Sequence, residues 1–296
     1  MFMSKILVLG ADGFLGNRFF DFQQKKFKLL GTSRKTHSFE SSGFVYFEAT
    51  DFTSISEILE TLRPRIVLNC IAATNVDSCE QNAQNCNLVN TIFPSHLASY
   101  TYKLGIKLIH LSTDHYQSDL NEPRTEFTQV RAVNNYGKSK LDAELLIQKE
   151  NKDALIIRTN FFGYELGNKN MMLLSNIKYK LDSGLNFIGF TDSIFSPVSV
   201  NVLILLIYRL IEIDAKGIIN ISSNEAVSKL RFAQLVAAGL NLPLERIKPQ
   251  SVSSAGLFSK RPNYLALDNS LLKEILNVEM TSLDAMIMDE LKLFSS

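Results

Sequence analysis

Cysteine is scarce in this chain, and so is any surplus of charge. Only Cys70, Cys79 and Cys86 occur among 296 residues. The count is odd and no two form a C-x-x-C pair, which argues against a disulfide framework and favours a reducing compartment. Their placement suits neither metal binding nor nucleophilic work, so no metal site is expected. Lysine and arginine number 31 against 30 acidic residues, for a net charge of +1. No global field therefore draws the chain to nucleic acid or to anionic lipid. Long apolar runs are missing as well. The N-terminal run is broken by Gly10 and Asp12 and does not read as a signal peptide. The longest apolar stretch, residues 198–213, carries Asn201, Arg209 and Glu212 and is too short to span a bilayer. A cytoplasmic protein with no membrane and no nucleic-acid partner is expected.

What remains is ordinary globular composition, 46% apolar and 21% charged. A chain of this length buries roughly three quarters of its unfolded surface, enough for one large or two modest domains. No repeat stands out, so the alternation of elements is the organising signal. Short apolar runs at 6–9, 27–30, 45–47, 66–68, 107–111 and 154–157 read as strands. Helix-length stretches from Phe14 and over 54–62, 78–104 and 134–149 separate them. Strands apolar on both faces and alternating with helices imply a parallel sheet covered on both sides. After Arg158 the rhythm changes. Helices are expected over 171–183 and 198–213, and a strand over 217–221. A further helix is capped by Ser228 and presents Phe232, Leu235, Val236, Gly239 and Leu240 on one face. Two more helices end the chain. The expected domains are 1–160 and a smaller, mostly C-terminal one over 161–296, with residues near 186–222 able to return to the first.

Gly10-Ala11-Asp12-Gly13-Phe14-Leu15-Gly16 is a G-x-x-G-x-x-G turn between the first strand and the first helix. Glycines serve there because the turn is tight, backbone must approach a pyrophosphate, and helix packs on strand. The helix N-terminus then holds the phosphates. Asp12 reads as a turn former. The second strand ends in Ser33, Arg34 and Lys35, and no carboxylate follows until Glu40. An acid there would receive the ribose hydroxyls of NAD, whereas a serine with two cations suits a 2′-phosphate. NADPH is the expected cofactor, with NADH as the alternative.

Tyr136 and Lys140 stand four apart on an expected helix, hence on one face. Tyrosine ordinarily titrates near pH 10, and a neighbouring ammonium favours its ionised form. Such tuning is what general acid–base catalysis needs. Ser112-Thr113-Asp114 follows an expected strand, at the carboxyl edge where α/β sheets place their sites, with hydroxyls to share a substrate oxygen with Tyr136.

Together these residues resemble the extended short-chain dehydrogenase/reductases, and within them the dTDP-4-dehydrorhamnose reductase family. The similarity runs through 69–77 with Cys79 and Glu80, Val89-Asn90, 112–114, 135–140, 158–160, Ser196-Pro197, 217–226 and 260–262 with Leu267-Asp268. The resemblance implies a Rossmann-type doubly wound parallel sheet carrying a smaller α+β substrate-binding domain. It implies Thr113, Tyr136 and Lys140 as the catalytic set. Gly13, Phe14 and Leu15 would meet the pyrophosphate, Asp51 and Phe52 the adenine, and Ala72, Ala73 and Thr74 the nicotinamide ribose. Thr113, Asp114 and Phe161 would touch the sugar, and Arg261 is a candidate for a substrate phosphate. The chain departs from the family at His115-Tyr116-Gln117, at Ala73 and at Phe161, all expected to face the sugar, so the sugar itself stays open.

The implied activity is NADPH-dependent reduction of the 4-keto group of a nucleotide-activated 6-deoxy sugar, as in dTDP-rhamnose and polysaccharide biosynthesis. Two alternatives stand beside it: an epimerase or dehydratase of the same superfamily, and a non-catalytic NADP-binding regulatory subunit. A dehydratase is disfavoured because His115, not glutamate, follows Asp114. His115 reads equally as a substrate ligand and as a hydrogen-bonded loop residue. A homodimer is left open as the assembly.

Overall fold

The computed structural model describes residues 4–34, 43–164 and 172–293. A seven-stranded sheet organises the first half. Strands β1 (Ser4–Leu9), β2 (Phe27–Ser33), β3 (Phe44–Tyr46), β4 (Ile66–Asn69), β5 (Lys107–Leu111) and β6 (Leu155–Thr159) pair in parallel. The order across the sheet is Gly217–Ile221, β6, β5, β4, β1, β2, β3. Chain order therefore reverses at β1, which lies between β2 and β4. A crevice opens at the carboxyl ends of such a pair, where α/β sheets bind ligands.

Burial explains the strands. In β4 and β6 every residue is buried, as a sheet covered on both faces requires. Leu7, Leu9, Val67, Leu108 and Ile156 form one apolar core with Ile55, Leu59, Phe93, Leu97 and Ile147 from the covering helices. The sheet and its helices match the α/β expectation.

The long helix expected over 78–104 is broken instead. Helices Val76–Gln81 and Ala83–Asn87 are followed by a π turn, Leu88–Ile92, and then by helix Phe93–Leu104. Asn75 caps the first of these, and Asn82 explains the break after it, because its side chain accepts the backbone N–H of Asn85 and so starts a new helix. Of the helix expected over 171–183, the described part is Leu173–Asp182; Met171 lies outside the described residues. The helix capped by Ser228 runs Lys229–Gly239, but its buried face is Phe232, Ala233, Val236 and Ala237. The small alanines face inward, so the apolar stripe is turned by one position from the leucines that suggested it.

The chain separates into two compact, discontinuous units. The first comprises 1–113, 134–157 and 213–218, and the second 114–133, 158–212 and 219–296. Short strands knit the second unit: Phe187–Phe190 pairs with Ile247–Gln250, and Ile194–Phe195 with Val227–Ser228. Phe232 lies edge-on to Phe162 and Phe195 at 5.0 and 5.6 Å between ring centroids.

Candidate active site

In the first unit the glycine turn forms as expected. Gly10 has φ +78, a conformation that favours glycine, and its N–H donates to Thr32 Oγ1 at 3.1 Å. A Cβ on Gly16 would lie 2.3 Å from the Gly10 carbonyl oxygen, so strand end and helix meet where only glycine fits. Gly13 caps helix Phe14–Asp21 without a side-chain bond, and no acid stands in the first turn. Leu15 is buried, so only its backbone is available to a phosphate.

A cleft of about 290 Å³ lies against this turn. Gly10, Asp12, Gly13, Ser33 and Arg34 line it, together with Ala72 and Ala73. Ser33 donates to Asp12 Oδ2 at 3.2 Å. With that hydroxyl engaged, the exposed Arg34 is the group left to meet a 2′-phosphate; Lys35 lies outside the described residues. The expected adenine contacts are placed differently. Asp51 caps helix Phe52–Leu62 by accepting from Ser54 N at 2.9 Å. Phe52 stacks 5.1 Å from the His96 ring. Neither is among the residues lining the cleft, where Glu48, Ala49 and Thr50 stand instead. Phe14, Thr74, Tyr136 and Lys140 are likewise absent from that lining.

The segment after β4 is clamped by Asn90, a fully buried residue of the π turn. Its amide accepts from Ala73 N at 2.7 Å and donates to Ala73 O at 3.0 Å. It also donates to Ser139 Oγ at 3.1 Å, tying the segment to helix Asn135–Glu150. The extra residue of a π turn re-aims one side chain within an otherwise regular helix.

Helix Asn135–Glu150 carries Tyr136 half-buried and Lys140 buried, 1% exposed. A solvated lysine on an amphipathic face is thereby excluded. Asn134 caps the helix by accepting from Gly137 N at 2.8 Å, and Glu80 accepts from Asn135 N at 2.9 Å. Lys140 Nζ lies 2.6 Å from Leu111 O and 3.1 Å from His110 Nε2. Burial pushes its ammonium down to about 8, against the opposing pull of Glu144 and then of Cys70 and Cys86. Thr113, two residues beyond β5, is buried too. The Ser112 hydroxyl donates to Glu144 Oε1 at 2.5 Å.

In the second unit, Asp114 is buried and accepts from Asn160 Nδ2 at 2.9 Å. Burial raises its carboxyl to about 6, with Arg124, Asn160 and Lys229 pulling the other way. His115 is driven down to about 3 by burial, then by Lys229, Arg261 and Arg124, so it is a neutral imidazole near pH 7. Phe161 is half-buried in strand Phe161–Phe162. Arg261 lines a second cleft of about 330 Å³ with Gln117, Lys260 and Asn263.

Reading the sequence missed Arg124. Fully buried, its guanidinium donates to Asp114 O and Leu265 O, both at 2.7 Å, and to Tyr116 O. Nothing in its spacing marks it, since its partners are backbone carbonyls. Burial raises Cys70 and Cys79 to about 12, Cys79 with added contributions from Cys86 and Glu80. Cys70 is half-buried and lines the cleft. Among the described residues no group of histidine, cysteine and acidic side chains is set to hold a metal, and no helix is long and apolar enough to cross a membrane.

Asp114 sets a pH dependence of stability. Its folded value of about 6 lies above the ordinary 3.8. The native state therefore holds this proton more tightly, and stability present below pH 4 is lost as pH rises through 6. The loss is on the order of 2–3 kcal/mol. Denaturant unfolding at pH 4 and pH 7 should show that loss in the parent and a smaller one in Asp114→Asn; equal losses in both proteins would remove Asp114 as the cause.

Comparison with known proteins adds four findings. A family model described as the RmlD substrate binding domain matches residues 3–295. The methionine adenosyltransferase 2 subunit beta of Xenopus tropicalis is 25% identical over 290 residues, covering 92% of this chain and 82% of the relative. The spore coat polysaccharide biosynthesis protein SpsK of Bacillus subtilis is 26% identical over 279 residues, covering 92% of each. The crystal structure of dTDP-4-dehydrorhamnose reductase from Bacillus anthracis, in complex with NADP, is similar with a TM-score of 0.89. It covers 99% of this chain and 100% of its own, at 22% identity, and the likeness is one of fold.

Proposed function

Because the chain belongs to the RmlD substrate binding domain family, we propose that it reduces the 4-keto group of a nucleotide-activated 6-deoxy sugar with NADPH. The observation that carries this reading is the helix that places Tyr136 four residues before a fully buried Lys140, in the unit that also holds the glycine-turn cleft. The first unit would bind the cofactor and the second the sugar nucleotide.

The cleft fits such a cofactor. Its turn brings backbone where a Cβ would collide, and Arg34 stands at its rim. When bound, NADPH supplies the hydride. The chain's own residues do the rest. The backbone of Gly13, Phe14 and Leu15 would hold the pyrophosphate, and Ala72, Ala73 and Thr74 the nicotinamide ribose. Lys140 would hold that ribose and tune Tyr136. The Tyr136 hydroxyl would give its proton to the carbonyl oxygen as carbon 4 is reduced, and the Thr113 hydroxyl would hydrogen-bond the same oxygen. Asp114 and Phe161 would contact the sugar, and Arg261 a phosphate.

Cofactor choice would rest on Arg34. A hydrogen bond to a charged group contributes about 1.5–3 kcal/mol. Arg34→Ala should therefore erase about tenfold or more of the preference for NADPH over NADH, read by titration of both cofactors. Equal affinities in the parent protein would remove this assignment.

The relative named as a subunit of methionine adenosyltransferase 2 supports a second reading, a cofactor-binding regulatory subunit. Incubation with NADPH and a panel of 4-keto-6-deoxy sugar nucleotides separates the readings. Oxidation of NADPH with a reduced sugar product supports the reductase. A sugar product without net change in the cofactor indicates an epimerase, and binding without turnover a regulatory module.

A further inference from the structure

Lys140 and Glu144 stand one turn apart on helix Asn135–Glu150, so their side chains lie on the same face. Both are 1% exposed. Their head groups reach one short segment where β5 ends. Lys140 Nζ lies 2.6 Å from Leu111 O, and Glu144 Oε1 accepts from the hydroxyl of Ser112, the next residue, at 2.5 Å. The carboxylate is thereby anchored on the residue beside the one that holds the ammonium. On an exposed helix a lysine four residues before a glutamate is the weaker order of the two, and such a pair contributes little. Burial changes that. With water excluded, charges act on each other far more strongly, and an ionised group persists there only if it is paired.

We infer that Glu144 is a positioning residue: anchored by Ser112, it is the buried counter-charge that keeps Lys140 an ammonium. The inference rests on the reading of Lys140 as the lysine that tunes Tyr136 and holds the cofactor's ribose. Both tasks use its positive charge. An ammonium favours the ionised form of a neighbouring phenol and offers three hydrogen-bond donors. Glu144 acts through Lys140. Stability alone does not call for the pair, since apolar residues of similar volume often fill a buried site at least as stably as two paired charges. A lysine and a glutamate placed there together point to a use for the charge.

The groups that face Lys140 from the packed elements leave Glu144 as its main support. Burial is the largest influence and pushes the ammonium down. Glu144 opposes it most, then Cys70 after β4 and Cys86 on helix Ala83–Asn87. Burial raises Cys70 to about 12, so near pH 7 it is a thiol and brings no charge. His110 on β5, 3.1 Å from Lys140 Nζ, is driven well below its ordinary range by burial and then by the Lys140 charge, so its ring is neutral. The outcome for Lys140 is about 8, which leaves it mostly charged near pH 7. Without the carboxylate, burial would push it lower and the charge near pH 7 would fade.

The test uses the full chain with ¹³C-labelled lysine and glutamate, and it needs neither cofactor nor substrate. The Lys140 ¹³Cε signal is assigned by its loss in Lys140→Met. In the parent it should titrate near 8. Glu144→Gln keeps the shape and an oxygen for the Ser112 hydroxyl but removes the charge, so Lys140 should titrate about one pH unit lower or more. Glu144→Asp shortens the side chain yet keeps the charge, and should hold Lys140 closer to the parent value. The parent carries an independent readout. Its Glu144 carboxyl carbon should shift in the same pH step as Lys140, because the two charges act on each other. An unchanged Lys140 titration in a folded Glu144→Gln would overturn the inference. So would a Glu144→Asp titration as low as that of Glu144→Gln, or a Glu144 carbon flat through the Lys140 step. Failure of the reductase assay alone would leave these titrations as they are, so the two ideas fail separately.

Discussion

Replacing Tyr136 by phenylalanine is expected to lower the turnover number by about 10²–10⁴-fold while NADPH binding stays nearly intact. The hydroxyl is the proposed proton donor to the reacting oxygen, and positioned general acids typically contribute a factor of this size. The change removes one oxygen and keeps the ring, so the half-buried packing of Tyr136 at the start of its helix is preserved. Lys140 is held by Leu111 O and His110, neither of which depends on the tyrosine. Single-turnover measurements with NADPH would separate the chemical step from binding. A variant with near-parent rates would show that another group supplies the proton. His115, neutral near pH 7, would be the first to examine.

The second large effect is expected at Gly16. In Gly16→Ala the new Cβ would meet Gly10 O at 2.3 Å and Ala11 Cα at 2.7 Å, both backbone. No flexible side chain can yield, so the turn itself must open. Overpacking costs about 1–3 kcal/mol, and the rigidity of both partners puts this site at the upper end. NADPH affinity should fall about 100-fold, with a lower melting temperature. Gly13→Ala is the milder comparison, because its Cβ would stand 3.2 Å from Gly10 O. If Gly16→Ala bound NADPH within about threefold of the parent, close backbone approach at this turn would not be what shapes the cofactor site.

How far the sequence announced all this depended on how local each feature was. The glycine turn and the Tyr136–Lys140 pair were legible because each is a short spacing whose geometry follows from one strand–turn–helix or one helical turn. Strands such as Lys107–Leu111 and Gly217–Ile221 were legible as short apolar runs. The stretch from residue 78 to 104 was misread because Asn82 passes for polar surface in a continuous helix, whereas it ends one helix and caps the next. Asp51 was legible as a carboxylate before a helix, but not that its side chain caps that helix.

Long-range partners were not legible. Arg124 acts through the carbonyls of Asp114 and Leu265, which carry no residue signature. His110 looked like one more position of an apolar strand. Its meeting with Lys140 requires β5 and helix Asn135–Glu150 to pack together, and its other ring nitrogen meets Asn69 from β4. Such arrangements depend on sheet order, which hydrophobic periodicity does not specify.

The most direct test of the central claim follows a single atom. The protein would be supplied with NADPH deuterated on the transferring face of the nicotinamide and with dTDP-4-dehydro-6-deoxy sugar, and the product analysed by mass and NMR. The account predicts one deuterium, bonded to carbon 4 of the reduced sugar, in a single configuration, with one NADP⁺ formed per product. Deuterium retained in the cofactor, with the sugar unchanged across the 4-keto panel, would contradict it.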